Sequence, residues 1–329
     1  MTRNEKMLLE HIRPVTDEDR EKLPMFSYSR IEQYKNCPMA YKFKYVNGKT
    51  ISDETTLALE LGTLCHYVLE QKGKMVKDGS SVKYDILKDI LYNGVVDANQ
   101  DNDKPTEKML GVNDLKKKYF EDWNTIEPNS GMDYTEKIDL FWDKVVKSEM
   151  ENDDWYAEYF EYYFEFVFQD RVILHGYIDR IDSFDGMFRT IDYKTSKKIY
   201  DQNKLSTSLQ FGIYALAILM EFGSLPVESV YRFILIDEKQ KALTVGWEKR
   251  LVKHLTDIFD SILADTKDDS FKPKPSPLCH WCSYCKHGIS ADRYKHECEY
   301  YSLWTPTNKT YSVNKKWEED KNDGRKLIF

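Results

Sequence analysis

The chain has 329 residues, of which 41% are hydrophobic and 32% are charged, and its formal net charge is −8. This length and composition predict a soluble globular protein with a substantial core and exclude a disordered chain, while the acidic balance argues against indiscriminate binding of polyanions. No apolar run approaches the ~20 residues of a membrane-spanning helix, and the N-terminus has no apolar signal region, so we expect a cytoplasmic protein.

The first part of the chain predicts a charged leader followed by a helix. Residues 1–24 are polar and interrupted by prolines, which break any long helix. A helix is predicted to begin at Ser27, where Ser29 and Glu32 have the spacing of a capping box, and to end at Cys37.

A second helix is predicted over Leu57–Lys72, because leucine or valine recurs every three or four residues. His66 lies on this helix, and Gly62 is expected to let the helix approach its neighbour closely. Glu70 follows His66 by one turn, where it either orients the imidazole or faces solvent. Cys65 is expected to be a buried apolar residue.

The middle of the chain changes from helical to strand patterns. Residues 73–150 are polar with short helical patterns, and we interpret them as a helical insertion outside the main sheet. Strand character starts at Trp155, and strand patterns follow over residues 159–170, 172–184 and 187–196, separated by hairpin turns that include Asp185-Gly186. The remaining predictions are a helix over Leu209–Phe222, strands over 230–237 and 241–247, and a helix over Glu248–Lys267.

The strand hairpin carries two carboxylates and an amine. Asp179 ends a G-x-x-D pattern, and Asp192 and Lys194 form D-x-K. Alternation along a strand puts Asp192 and Lys194 on one face, while Tyr193 points away. Such a group can hold a divalent cation and polarise a water beside it, whereas an isolated D-x-K is commonly a surface salt bridge.

Other polar residues are candidates for the same site. Gln210 and Tyr214 are four residues apart and therefore share one helical face, although Tyr214 is also a candidate for ordinary packing. Glu161 and Glu165 lie on the preceding strand, and the sequence gives no reason to choose between them.

The cysteines form a second group. Cys279, Cys282 and Cys285 are separated by two residues each, and Cys298 follows. Thiolates at this spacing can converge on a soft metal, and six cysteines in a reducing compartment favour metal binding or catalysis over disulfides. Taken alone, the C-terminal cysteines predict a zinc site.

The motifs together resemble the PD-(D/E)xK nuclease superfamily, in particular its RecB-like branch. G-x-x-x-H at Gly62–His66, then G-x-x-D, D-x-K and Q-x-x-x-Y occur in that family's order. The resemblance implies an α/β, restriction-endonuclease-like core, in which helices flank a mixed central β-sheet. It places a nuclease domain over residues 25–299 and leaves a polar tail at 300–329.

The resemblance also implies roles for the site residues. Asp179, Asp192, His66 and the carbonyl of Tyr193 would bind Mg²⁺ or Mn²⁺, and an imidazole ligand favours Mn²⁺. Lys194 would orient the attacking water or stabilise negative charge in the transition state. The substrate-positioning residues would be Gln210 and Tyr214.

Cys37 alters the interpretation of the cysteines. The pattern from Ser27 to Cys37-Pro38 resembles the N-terminal ligand of RecB-like and CRISPR-associated nucleases that carry a structural 4Fe–4S cluster. That resemblance implies Cys37, Cys279 and Cys282 as ligands, with Cys285 or Cys298 as the fourth. The gap before Cys285 is shorter than the family's usual one and the gap before Cys298 is longer. Zinc stays the alternative metal.

The function implied by the resemblance is metal-dependent hydrolysis of DNA. We expect an exonuclease that acts on single strands or DNA ends in phage or bacterial recombination, repair or replication, within the host cytoplasm if a phage encodes it. The alternatives are a CRISPR-associated nuclease that trims spacers and a catalytically silent DNA-binding scaffold. The chain lacks G-x-x-x-x-G-K-[ST], so a helicase, single-strand-binding or annealing protein is an expected partner. An oligomer remains open, and no membrane partner is expected.

Overall fold

The computed structural model divides the chain into two compact units. The first comprises Met1–Met25 and Thr55–Leu251, and the second comprises Phe26–Glu54 and Val252–Phe329. The structure describes residues 1–48, 55–96, 108–128, 130–150, 154–201, 205, 207–242, 248–285 and 298. The tail predicted at 300–329 and most of the strand predicted at 241–247 lie outside these residues.

The strands, in chain order, are β1 (Ile12–Arg13), β2 (Met25–Phe26), β3 (Gly94–Val96), β4 (Lys108–Leu110), β5 (Tyr156–Phe168), β6 (Val172–Phe184), β7 (Met187–Lys194), β8 (Glu228–Phe233) and β9 (Glu238–Ala242). The main sheet has the order β1-β5-β6-β7-β8-β9. Neighbours along this path are antiparallel except β7 and β8, which are parallel. The predicted mixed central sheet flanked by helices is therefore confirmed.

The α-helices are α1 (Arg3–Leu9), α2 (Asp17–Lys22), α3 (Tyr28–Asn36), α4 (Pro38–Tyr41), α5 (Leu57–Lys77), α6 (Tyr84–Asn93), α7 (Val112–Lys118), α8 (Phe120–Trp123), α9 (Tyr134–Leu140), α10 (Leu209–Phe222) and α11 (Glu248–Asp268). Two π-helical segments cover Lys42–Val46 and Phe141–Val146, and a 3₁₀ turn covers Pro277–Trp281. Within the described part of the chain, no helix combines the length and apolar character needed to span a bilayer.

The hairpin of β6 and β7 follows from its turn residues. Phe184 pairs with Met187, so Asp185 and Gly186 form a two-residue loop. Both have positive φ, 47° and 74°, which is the geometry that suits the twist of the flanking strands. The Asp-Gly turn thereby fixes the register that brings the catalytic-motif residues of the two strands side by side.

Helix α5 packs its apolar stripe on the sheet. Leu57, Leu61, Leu64 and Val68 are buried in one core together with Ile191 and other residues of the sheet and the insertion. The helix continues five residues beyond its predicted end, because its apolar packing extends further than the leucine pattern. The predicted insertion, residues 73–150, thus begins inside α5, and it also contains the antiparallel pair of β3 and β4.

Helix α10 has the bounds that the sequence predicts. Its first turn is capped by Ser208, whose Oγ accepts a hydrogen bond from the backbone N–H of Phe211. It ends at Gly223, which has φ 76° and adopts the left-handed conformation that glycine tolerates best. Buried side chains line the helix from Leu209 to Leu219, so Gln210 and Tyr214 are held inside the protein.

The predicted leader takes part in the sheet of the first unit. Ile12 and Arg13 of β1 pair with Phe168 and Val167 at the end of β5. Arg13 also forms an ion pair with Asp19, with Nη1 and Oδ2 2.6 Å apart. Charge and prolines mark residues 1–24 in the sequence, but they do not reveal that a two-residue edge strand forms there.

The second unit joins the predicted helix after Ser27 to the C-terminal helix. Ser27, rather than Ser29, caps α3, and its Oγ accepts a hydrogen bond from the N–H of Arg30. The predicted start at Ser27 is therefore confirmed, whereas the predicted capping box at Ser29 is wrong, because Ser27 is the N-cap residue. Tyr34 donates a hydrogen bond of 2.6 Å to Asp265 of α11, which connects the two distant stretches of chain.

Candidate active site

Four elements of the first unit supply the predicted site residues. Strand β6 carries Asp179 and β7 carries Asp192 and Lys194, while α10 carries Gln210 and Tyr214, and α5 carries His66. The antiparallel pairing of Arg180 with Ile191 sets the two acidic residues beside each other. The backbone N–H of Tyr193 donates a hydrogen bond of 2.6 Å to Asp179 Oδ2, which ties the two strands together at the site.

The carboxylate of Asp192 is held from two sides. Its Oδ1 accepts a hydrogen bond of 2.6 Å from Gln210 Nε2 and one of 3.2 Å from the hydroxyl of Tyr214. Its buried Oδ2 lies 2.5 Å from Lys194 Nζ but accepts no hydrogen bond of good geometry. Asp192 and Lys194 therefore share one face, as alternation predicts, and the ammonium of Lys194 neutralises the carboxylate at Oδ2.

The structure brings His66 to the carbonyl of Tyr193. The imidazole Nε2 lies 3.0 Å from that oxygen, and since a carbonyl only accepts, Nε2 donates in this contact. On the other side of the ring, Nδ1 lies 3.7 Å from Asp179 Oδ2. Glu70 instead pairs with Lys74, with 2.7 Å between Oε1 and Nζ.

Gly62 is not the residue that allows the close approach of α5, contrary to the prediction. A Cβ atom at this position would lie 3.4 Å from Oγ1 of Thr195, which is an ordinary van der Waals contact. The close approach of α5 occurs at Gly73 instead, where a Cβ would lie 2.1 Å from the ring of Phe160 on β5. The glycine of α5 that close packing requires is therefore Gly73, near the end of the helix, and not Gly62 near its start.

Glu161 joins the site, and Glu165 does not. Glu161 Oε1 lies 4.0 Å from His66 Nδ1, and Glu161, His66 and Asp179 each offer a ligand atom within 4.8 Å of the others. Glu165 forms an ion pair with Arg20. Glu161 has φ 44°, unusual for a non-glycine residue in a strand, and no sequence pattern signals that conformation.

The electrostatics of the site show an excess of buried negative charge. Burial and the charge of Asp192 raise the pKa of Asp179 well above its ordinary value. Burial and the neighbouring Asp179 raise the pKa of Glu161 to about 7. Burial lowers the pKa of His66, which favours the neutral imidazole that can bind a metal. Burial opposes the charged form of Lys194, but Asp192 outweighs it and the pKa of Lys194 is raised.

These groups fit a divalent cation. A bound cation would offset the burial and the neighbouring negative charge that raise the pKa values of Asp179 and Glu161. Carboxylate and carbonyl oxygens with one imidazole are ligands that suit Mg²⁺ and Mn²⁺. An open cavity of about 500 Å³ leads to the site along α5, and its lining includes Gly62, His66, Glu161 and Thr195.

A buried ionic network lies directly behind the catalytic strand. Arg180 Nη1 donates hydrogen bonds to Glu149 Oε1 at 3.2 Å and to the hydroxyl of Tyr193 at 3.4 Å. Glu149 Oε2 also accepts from Arg232 Nε at 3.1 Å, and Arg180 pairs with Asp182 at 2.5 Å. Sequence reasoning missed this network, because its members are separated by tens of residues and lie in no shared pattern.

Five cysteines of the second unit line one cavity of about 280 Å³. They are Cys37, Cys279, Cys282, Cys285 and Cys298. The sulfurs of Cys37 and Cys279 accept backbone hydrogen bonds of 3.4 Å from Lys274 and Ser276. The backbones of Cys285 and Cys298 form an isolated parallel β-bridge, and both thiols are free. Cys65 is fully buried in α5, as expected.

Comparisons with known proteins agree with this geometry. The model of the PD-(D/E)XK nuclease superfamily matches residues 25–286. The Gene 69 protein of Mycobacterium phage D29 is 26% identical over 287 residues, covering 83% of this chain and 98% of that protein. A subunit of the ATP-dependent helicase/deoxyribonuclease of Clostridium perfringens (strain SM101 / Type A) is 28% identical over 200 residues. That match covers 59% of this chain but only 17% of the clostridial protein. Because the family model spans most of the chain, the protein belongs to the PD-(D/E)XK nuclease superfamily.

Proposed function

We propose that this nuclease is a metal-dependent DNA exonuclease that acts on single strands or DNA ends. The observation that carries the proposal is Asp192, which Gln210 and Tyr214 hold on one side while Lys194 lies against its other oxygen. Superfamily membership supports phosphodiester hydrolysis. The name of one relative, a helicase/deoxyribonuclease subunit, supports action on DNA, and we propose recombination, repair or replication as the setting.

The metal ligands in this proposal are Asp179, Asp192, His66 and the carbonyl of Tyr193, with Glu161 as an additional carboxylate. Binding through both His66 and that carbonyl requires the imidazole to give up its present contact with the carbonyl oxygen. A bound Mg²⁺ or Mn²⁺ supplies positive charge that polarises a phosphoryl oxygen and lowers the pKa of a bound water. The grouping of His66, Glu161 and Asp179 and the raised pKa of Asp179 support this set.

Lys194 acts on charge that develops during the reaction. Its ammonium lies 2.5 Å from Asp192 Oδ2 and donates to Gln210 Oε1 at 3.2 Å, so its position is fixed before substrate arrives. A fixed cation stabilises the phosphorane-like transition state without reorganising, or it orients the attacking water. Gln210 and Tyr214 donate hydrogen bonds to Asp192 and thereby orient it. In this proposal the same two side chains also lie near the scissile phosphate and position the substrate.

We also propose that the cysteines bind a structural 4Fe–4S cluster through Cys37, Cys279, Cys282 and Cys285. The two N–H···S hydrogen bonds are typical of thiolates that ligate a cluster. The cavity that brings Cys37 together with Cys279, Cys282 and Cys285 supports this ligand set.

The partners proposed are DNA and a protein that opens it. The helicase/deoxyribonuclease subunit is named for both activities, whereas this chain contains no G-x-x-x-x-G-K-[ST] motif. A separate helicase, single-strand-binding or annealing protein would therefore present the strand.

The test is digestion of DNA labelled at its 5′ or 3′ end, single- or double-stranded, with Mg²⁺ or Mn²⁺. The parent should shorten the DNA from one end, and Asp192→Asn and Lys194→Met should each lower the rate by about 10²–10³-fold. The matched control is the exposed ion pair of α11, Lys253→Met and Asp257→Asn, which should leave the rate unchanged. A folded, metal-loaded parent that cleaves none of these substrates would overturn the proposal.

A further inference from the structure

Two large aromatic side chains lie exposed on adjacent strands of the sheet. Tyr163 of β5 pairs directly with Tyr177 of β6, and their ring centroids are 5.2 Å apart with the planes tilted by 57°. The side chains are 43% and 57% exposed, respectively. Their strand neighbours Phe164 and Ile178 are buried, so the two rings lie on the more open face of the sheet.

The ring pair borders the candidate active site. Tyr177 precedes Asp179 by two residues on β6, and Tyr163 follows Glu161 by two residues on β5. Two residues span about 7 Å along a strand. The exposed rings are therefore neighbours of two carboxylates that we propose as metal ligands, and a strand held at those ligands passes close to the rings.

The ring of Tyr163 is held in place before any ligand binds, and the ring of Tyr177 packs against it. The hydroxyl of Tyr163 donates a hydrogen bond of 3.0 Å to Glu165 Oε2, and Glu165 is itself paired with Arg20. The ring of His175 lies 6.5 Å from that of Tyr163 and extends the aromatic surface. A rigid aromatic surface loses little side-chain entropy when a second ring packs on it.

Stabilisation of the sheet does not by itself account for the exposure of these rings. Cross-strand aromatic pairs do stabilise sheets, but they do so by burying ring surface. Elsewhere on the same strand, Tyr159 and Tyr162 pack against Phe222 of α10, with ring centroids 5.5 and 6.0 Å apart. Tyr163 and Tyr177 instead leave much of their ring surface to solvent, next to the reacting groups.

We propose that Tyr163 and Tyr177 form a platform on which unpaired DNA bases stack beside the active site. The inference rests on the proposed nuclease function and names its substrate as single-stranded DNA. Every base offers a ring face once it is unpaired, whereas in a duplex the neighbouring base pairs cover these faces. The platform therefore selects single strands without reading their sequence.

The experiment measures binding in a variant with reduced cleavage, and cleavage by the parent is measured separately in the end-labelled digestion described above. Tyr163→Thr and Tyr177→Thr keep strand propensity and remove the rings, and Tyr177→Phe keeps the ring. The matched control is Tyr156→Thr, a 47% exposed tyrosine at the far end of the same strand. Dissociation constants for a single-stranded oligonucleotide, the same strand with abasic sites, and its duplex are measured in an Asp192→Asn background with Mn²⁺. Thermal unfolding confirms that each variant folds.

Each threonine variant should weaken single-strand binding at least about fivefold, the lower limit for the loss of one stacked base. Tyr177→Phe and Tyr156→Thr should bind as the background protein does, and duplex binding should not change. Abasic sites should weaken binding by the background protein but not by the double threonine variant. Unchanged single-strand affinity in the folded double variant would overturn the platform. A parent protein that does not cleave the labelled DNA would instead overturn the nuclease proposal. The two failures are therefore distinguishable.

Discussion

Glu161 combines an unusual backbone with an unusual ionisation. Its φ of 44° is one that residues other than glycine rarely adopt within a strand, and such conformations cost on the order of 1–3 kcal/mol. They persist where the surrounding structure enforces them, which is often at functional sites. Here the conformation accompanies a carboxylate placed beside Asp179 and His66, where burial and Asp179 raise its pKa to about 7.

The raised pKa predicts a pH dependence of stability in the metal-free protein. The folded state binds a proton at Glu161 up to about pH 7, whereas the unfolded state releases it near its ordinary pKa of 4.5. The contribution of this group is thus fully present below pH 4.5 and is lost as the pH rises to 7. Thermal unfolding in chelator should therefore show that the parent, relative to Glu161→Gln, is more stable at pH 5.5 than at pH 8.

Metal binding should show the opposite dependence. Because a ligand carboxylate must lose its proton, the affinity for Mn²⁺ should rise between pH 6 and 8. Titration calorimetry on the parent and on Glu161→Gln measures this directly. A pH profile of stability and affinity that is identical in both proteins would show that Glu161 does not titrate at the site.

At the scale of elements, the end of the insertion is anchored to the sheet through buried charge. Glu149 lies after the second π-helical segment and contacts Arg180 of β6 and Arg232 of β8, the strands on either side of β7. Burial disfavours its charge, but the neighbouring arginines outweigh this and lower the pKa of Glu149. Arg180 in turn reaches the hydroxyl of Tyr193, so the insertion supports the strand that carries the D-x-K motif.

Removal of this anchor should destabilise the protein strongly. Glu149→Ala leaves two buried guanidinium groups without a full counter-charge, and breaking such a pair costs about 3–5 kcal/mol. The control is Asp143→Ala in the same insertion, which breaks an exposed pair with Lys147 and should leave the free energy of unfolding nearly unchanged. Urea unfolding followed by circular dichroism measures both. Equal losses in the two variants would show that the buried network adds nothing specific.

At the scale of the whole molecule, two distant stretches of chain build the second unit. The stretches are Phe26–Glu54 and Val252–Phe329, and the cysteine cavity is lined by Cys37 from the first stretch and four cysteines from the second. A metal cluster held across these stretches restricts the unfolded chain more than any local contact does. The cluster that we propose should therefore stabilise the fold well beyond its immediate surroundings.

The cluster is testable through its N-terminal ligand. Protein purified without oxygen should be brown and contain about four iron atoms per chain, and Cys37→Ser should lose the colour and unfold at a lower temperature. Cys65→Ala is the control, because Cys65 is buried in α5 of the other unit. This variant should keep its iron. A colourless parent that contains zinc instead would contradict the iron–sulfur proposal.

The sequence by itself determined the features that depend on local periodicity. Alternation put Asp192 and Lys194 on one face, Asp-Gly fixed the hairpin turn, and the apolar pattern gave α10 its bounds. Each follows from the geometry of neighbouring residues on one strand, turn or helix, which short stretches of chain already encode.

Only the tertiary structure decided what depends on packing between distant elements. It selected Glu161 over Glu165, moved the close helix approach from Gly62 to Gly73, and assembled the network around Glu149. These contacts join residues far apart in sequence, and whether they form depends on how α5, the insertion and the sheet fill a shared core. Periodicity determines on which face of a strand or helix a side chain lies. The packing of the whole fold determines which residues that side chain contacts.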